Sequence, residues 1–199
     1  MPEKNMNNFL RAIQELRSVP IPDYEERVED ICRDLDDEAM EEGSWPAEFF
    51  GQVLTLLRDS RFLSVRTSWH VLRFIKNNWK LVSTVEAAEL KNVLVDGYDR
   101  FGDWMGPFLA SEILGEFYPN GDTLSILKKM SKAARVPARE LIPHGIETLA
   151  RTTQDELLRG LAVQALELLL KDDSEAIRKE AAISLRKVGQ KPESGGMAL

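Results

Sequence analysis

Residues 153–189 read TQDELLRGLAVQALELLLKDDSEAIRKEAAISLRKVG. Apolar residues recur here at intervals of three and four, the period of a helix with one buried face. The spacing predicts two helices, over about 154–170 and 173–188, joined by a short polar turn. The first carries Leu158-Arg159, Ala162, Ala165-Leu166 and Leu169; the second carries Ile177-Arg178, Ala181, Leu185 and Val188. Both run in the same order: an apolar residue followed by arginine, a small residue one turn on, then larger apolar residues. A small side chain at a fixed turn lets neighbouring helices approach, as stacking of helix pairs requires. Thr153 and Glu156 have the spacing of a capping box, in which a hydroxyl and a carboxylate satisfy orphan backbone donors.

The same period extends outward. Phe9, Ile13 and Leu16 follow it, as do Tyr24, Val28, Ile31 and Leu35, and Leu124, Leu127, Met130 and Ala134. Strand-like alternation is missing, and Asn120-Gly121 lies between two helical patterns, where it reads as a helix–helix turn. Ser83 and Glu86 form a second capping-box pattern. Further helices are expected over 4–18, 22–42, 46–58, 61–78, 84–99, 103–118, 122–134 and 137–151, with Pro107 and Pro143 marking kinks or late starts. Earlier segments echo the opening pattern, with Val65-Arg66, Trp69 and Leu72, and with Leu141, Gly145 and Leu149. Stepping from Val65 through Trp104 and Leu141 to Ile177 gives intervals of 39, 37 and 36 residues, about one helix pair each.

The apolar-Arg-x-x-Ala-x-x-(Ala/Ser)-Leu pattern in 158–166 and 177–185 resembles that of HEAT-type repeats. The likeness is strongest over 153–189, weaker over 46–151 and weakest before residue 43. Trp69 stands at a small-residue position, so packing there must differ. The resemblance implies an all-α protein, a right-handed α-solenoid of about five antiparallel helix pairs, with an irregular helical bundle as the alternative. Residues 1–189 are then one helical repeat domain, and the aperiodic residues 190–199 a flexible tail.

Composition narrows the chemistry. The chain has 199 residues, a formal net charge of −7, one cysteine and two histidines. One cysteine excludes an internal disulfide framework and a four-cysteine zinc site. Neither a secretory leader nor a bilayer-spanning apolar run is evident, so the expectation is a cytoplasmic protein with no membrane partner. Cys32, beside Ile31 on an apolar helix face and among acids, reads as a structural thiol. His70 and His144 lack metal-ligand spacing, apart from Glu147 near His144. Asp34 to Glu38 looks acidic enough for calcium but has no loop glycine. Phosphate-binding glycine motifs and a nucleophile elbow are missing. The expectation is a protein that is not an enzyme and uses neither a cofactor nor a metal.

Charge is where the sequence speaks most directly. Residues 23–42 hold eleven acids and only two bases, Arg27 and Arg33, which accounts for the whole acidic balance of the chain. Glu26, Asp30, Asp34, Asp37 and Glu41 follow four-and-three spacing and form one stripe, with Glu38 beside it. Like charges at these intervals cost about 0.2–0.5 kcal/mol each in a helix. Acids near the helix C-terminus also oppose the macrodipole. Docking of a basic partner would explain a helix built against its own stability. Basic residues gather elsewhere: Arg66, Trp69, Arg73, Lys76 and Lys80 share helical spacing, and Lys128, Lys129, Lys132, Arg135 and Arg139 form a second group.

Helix-pair arrays bind macromolecules along an extended face. The first expectation is therefore a non-enzymatic protein-binding module: an adaptor, or an acidic inhibitor such as a bacterial immunity protein that neutralises a cognate toxin. Its site would be Glu26, Asp30, Asp34, Asp37, Glu38 and Glu41, and its partner a protein with a basic surface. The alternative is a nucleic-acid binder, since HEAT-like folds include alkylated-base DNA glycosylases. Its face would be Arg66, Trp69, Arg73, Lys76 and Lys80, with Asp103 and Trp104 nearby. Net charge argues against nucleic acid. A scaffold or chaperone for another enzyme is the third reading.

Overall fold

The computed structural model describes residues 10–16, 21–36 and 48–189. Among these, all regular structure is helical and no strand forms. A short helix α1 covers residues 10–16. It is followed by α2 (Ile21–Asp36), α3 (Phe49–Arg58), α4 (Ser60–Leu63), α5 (His70–Asn77) and α6 (Thr84–Gly97). Then come α7 (Met105–Phe117), α8 (Gly121–Met130), α9 (Val136–Arg139), α10 (Ile142–Thr152), α11 (Glu156–Leu169) and α12 (Glu175–Gly189). Single 3-10 turns close the segments Trp79–Leu81 and Tyr98–Arg100. The expected tail at 190–199 and the expected helix over 37–42 lie outside the described residues. The chain divides into two compact units, Met1–Ala110 and Ser111–Leu199, with the division inside α7.

In the first unit α2 packs on α5, and α3 on α4 and α6. The core is aromatic and aliphatic: Phe49, Phe50, Leu57, Phe62, Leu63, Leu72, Ile75, Leu90 and Leu94 are almost wholly enclosed. Phe49 and Phe74 meet edge to face with ring centres 5.9 Å apart. The expected single helix over 61–78 is broken. It stops at Leu63, turns through residues 64–69 and restarts at His70. The turn is held by its own bonds: the Ser68 hydroxyl donates to Leu63 O, and Gly102 N donates to the same carbonyl. Gly102 is required there, because a Cβ would stand 2.0 Å from Ser64 O.

In the second unit α10 packs against α8, α11 and α12, and α11 against α12. The small residues singled out by the sequence pattern are enclosed: Gly145, Ala162 and Ala181 all lie in close packing. The two pattern arginines perform the same task. Arg159 donates to Ala150 O and Thr153 O at 3.0 and 2.9 Å; Arg178 donates to Asp172 O and Asp173 O at 2.7 and 3.0 Å. Each guanidinium thus satisfies carbonyls just before its own helix, groups that a helix end or turn leaves without intrahelical partners.

The helix starts follow their caps. Ser83 and Glu86 form a complete capping box, and Asn120 caps α8 through Thr123 N. At α11 the cap falls two residues later than Thr153: Asp155 accepts from Leu157 N and Leu158 N, while Thr153 Oγ1 accepts from Asp155 N. Pro107 and Pro143 both occupy first helical turns, so each marks a late start and neither kinks a helix.

Candidate protein-interaction surfaces

Helix α2 is two-sided. Tyr24, Val28, Ile31 and Cys32 are buried, while Asp23, Glu25 and Glu26 are exposed and Glu29 and Asp30 are half-buried. Asp34 lies one turn further along the same helix. Asp37, Glu38 and Glu41, the rest of the expected acidic site, lie outside the described residues. Arg27 is engaged by Glu15 of α1 at 2.9 Å, which leaves the acids of the α2 face dominant. The Arg61 guanidinium covers the Tyr24 ring 3.6 Å from its centre. Burial, aided by Asp59, pushes the Tyr24 hydroxyl above its ordinary pKa of 10.0. Tyr24, Asp59 and Arg61 help line a small crevice of about 250 Å³ with an apolar floor of Ile13, Leu16 and Leu56.

The alternative basic set does not form the single helical stripe that its spacing suggests. Arg66 stands in the turn before α5, exposed and 3.6 Å from Asp103 Oδ2. Asp103 is itself committed to α7, whose Met105 N it caps. Trp69 is half-buried and stacked on His70, ring centres 3.7 Å apart. Arg73 is exposed on α5, Lys76 is half-buried there, and Lys80 is exposed in the following 3-10 turn. Trp104 is exposed beside Asp103. The break at residues 64–69 thus separates Arg66 from the α5 pair in helical register.

One charged cluster was not foreseen as a unit. His144 on α10 places Nδ1 3.4 Å from Glu147 Oε2 and Nε2 3.0 Å from Glu180 Oε2 on α12. Glu147 is also met by Arg151 at 3.2 Å and by Lys187 at 3.4 Å. With a carboxylate at each ring nitrogen, the charged imidazole, a donor at both, fits this setting better than either neutral tautomer. Its pKa is raised, chiefly by the Glu147 hydrogen bond with support from Glu180 and against burial. Burial acts to raise Glu147, yet His144, Lys187 and Arg151 together hold it below its ordinary value. Nε2 thereby ties α10 to α12, while Nδ1 is held by Glu147 of its own helix. Among the described residues no group of three or more His, Cys, Asp or Glu is arranged to hold a metal ion.

A surface that the sequence reading missed lies on α11. Leu157, Leu161 and Leu168 are 74 %, 44 % and 63 % exposed, although the opposite face of the helix, Leu158, Ala162, Ala165 and Leu166, is buried. Leucines stand on both faces, so the repeat pattern accounted for one face and concealed the other. No described helix is long and apolar enough to cross a membrane.

Compared with known proteins, the chain finds no significant match among protein-family models, curated proteins or solved structures.

Proposed function

We propose that this chain is a non-enzymatic protein-binding module, an adaptor or an inhibitor of the kind exemplified by bacterial immunity proteins, in which helix pairs stack in the manner of HEAT repeats and α2 receives a basic partner. The observation that carries the reading is the two-sidedness of α2: its apolar side is anchored by Tyr24, Val28 and Ile31, while Asp23, Glu25 and Glu26 face outward. A rigidly anchored acidic face steers a basic partner and accelerates encounter in a salt-dependent way. The broken register of Arg66, Arg73 and Lys80 favours this reading over nucleic-acid binding, which relies on basic groups aligned along a phosphate backbone.

The test is affinity capture from source lysate at low and moderate salt. The natural chain is compared with a Glu26→Gln, Asp30→Asn, Asp34→Asn, Asp37→Asn variant. A stoichiometric basic protein lost in the variant supports the reading and identifies the partner. Nucleic acid retained equally by both overturns it and moves Arg66 and Arg73 to the front.

A further inference from the structure

We infer that α12 is a pH-released latch: the His144, Glu147, Glu180 and Lys187 cluster clamps it on α10 while the imidazole is charged, and loss of that charge lets α12 open as one piece while α10 and α11 stay folded. The inference is independent of the reading of α2. It begins with how little apolar surface holds this helix. Ile177 and Ala181 are the only fully buried apolar side chains of α12, and one of the two is an alanine. The third buried residue, Ser184, encloses a hydroxyl without a hydrogen-bond partner, which works against closure. By contrast α10 buries Ile142, Ile146 and Leu149, and α11 buries Leu158 and Leu166. Arg178 spends its Nη1 on Asp172 O and Asp173 O, so it braces the turn before α12 rather than the crossing with α10. Elements with few buried apolar contacts are the ones that open locally, below the cost of global unfolding.

The polar crossing from α10 to α12 is concentrated in one cluster. His144 Nε2 meets Glu180 Oε2 at 3.0 Å, and Glu147 Oε2 meets Lys187 Nζ at 3.4 Å. The two crossings are joined, because Glu147 Oε2 also lies 3.4 Å from His144 Nδ1. The side chains of His144, Glu147 and Glu180 are 15 %, 5 % and 19 % exposed, so salt and water screen them little. A neutral imidazole donates at one nitrogen only, which leaves one of the two carboxylates facing a lone pair. Arg151, on the same helix as His144, and Lys187 then remain as the cations on Glu147. The helices packed on the other sides of α10 turn their charges away. Asp122, Lys128 and Lys129 of α8 are exposed, as are Glu156 and Glu167 of α11. Arg159 is tied to Ala150 O and Thr153 O. Glu140, one turn before His144, is half-buried. The field at the imidazole is set by Glu147, Glu180 and Lys187.

The direction follows from the raised pKa of His144. The clamp is complete below about 6.5, the value of the free ring, and is lost as pH rises through the higher value of the closed form. Between these values each opening releases a proton, so the open fraction grows by up to about tenfold per pH unit. Glu147, held below its ordinary value, stays charged throughout.

The experiment is hydrogen–deuterium exchange of the full chain near pH 6 and near pH 8, read by mass spectrometry and corrected for the intrinsic pH dependence of amide exchange. Amides within α12 should lose protection several-fold at the higher pH, while those of α10 and α11 keep theirs. His144→Gln should give α12 the same protection at both pH values. Glu180→Gln, at the more exposed edge of the cluster, should raise opening near pH 6 and shrink the response, with unchanged far-UV circular dichroism. Equal protection of α12 at both pH values in the natural chain overturns the inference. So does a loss shared equally by α10 and α11, which is global unfolding, and so does a response that persists in His144→Gln.

Discussion

His144 Nε2 lies 3.0 Å from Glu180 Oε2 and joins α10 to α12 through an imidazole that Glu147 holds from its other side. The groups facing it are Glu147 and Arg151 on its own helix and Glu180 and Lys187 on α12. Its raised pKa fixes the sign of a pH effect. The charged imidazole stabilises the fold fully below its unfolded value of about 6.5, and that contribution is lost as pH rises through the higher folded value. Glu147 runs the other way: its contribution is present above about 4.5 and is lost as pH falls through its lowered folded value. The second unit should therefore be most stable between these limits. Melting temperature should be higher near pH 6 than near pH 8, each kcal/mol being worth about 2–4 °C in a chain of this size. His144→Gln should flatten that slope. A slope unchanged in the variant would show that the cluster does not govern it.

Arg159 and Arg178 repeat one contact in two successive helices, each donating to two backbone carbonyls before its own helix. Charge-assisted bonds to carbonyls are worth about 1.5–3 kcal/mol. Arg178→Ala and Arg159→Ala should each destabilise the fold by about that amount in urea unfolding. Lysine at Arg159 should recover only part, because an ammonium lacks the planar fork whose Nε and Nη2 reach two acceptors in fixed geometry, whereas at Arg178, where Nη1 alone donates to both carbonyls, lysine should recover more. Full recovery by lysine would mean that charge, rather than the paired hydrogen bonds, is what each site uses.

Much of this was legible in sequence, for identifiable reasons. Helical period, the Ser83–Glu86 box and the Asn120 turn are local signals, and each appears where spacing places it. The arginine-and-small-residue pattern located the packing of α11 and α12 because a guanidinium and a missing side chain have few alternative uses in a helix pair. Three things were not legible. The helix over 61–78 breaks because Leu63 O is taken by Ser68 and Gly102, and Gly102 is distant in sequence. The cap of α11 moves to Asp155 because an aspartate two residues after Thr153 competes for the same orphan donors. The exposed leucine face of α11 escaped because leucine has the same letter whether it faces a neighbour or water. Of the expected acidic site, Glu26 and Asp30 stand on α2 at the expected spacing, and the alternative basic set is split by the 64–69 turn.

Gly115 and Gly145 hold α7 and α10 in near contact. A Cβ on Gly115 would stand 2.3 Å from Gly145 O, and one on Gly145 would stand 2.6 Å from both Ser111 Cβ and Ser111 O. Backbone atoms cannot yield as a flexible side chain can, so Gly115→Ala should cost about 1–3 kcal/mol or more by overpacking. Gly160→Ala on α11 meets nothing within 4 Å and removes a helix-interior glycine. It should stabilise the fold by about 0.5–1 kcal/mol. Calorimetry of the two variants checks the pair of opposite signs, and equal shifts would contradict the close crossing.

Asp172 holds α9 to the turn before α12. Its two carboxylate oxygens accept from Arg139 Nη1 at 3.1 and 2.9 Å, and Oδ1 also accepts from Ser174 N at 2.9 Å. Both side chains are largely buried, so the pair is poorly screened and each charge depends on the other. Asp172→Ala should remove the ion pair and the turn bond together and destabilise by about 3 kcal/mol, the low end for breaking a buried pair. Asp172→Asn keeps an oxygen for Ser174 N but no charge for Arg139, so it should fall between the natural chain and the alanine variant. A double-mutant cycle with Arg139→Met separates the two contributions. A coupling energy near zero would assign the whole effect to the turn bond, whereas a coupling comparable to the Asp172→Ala loss would assign it to the ion pair.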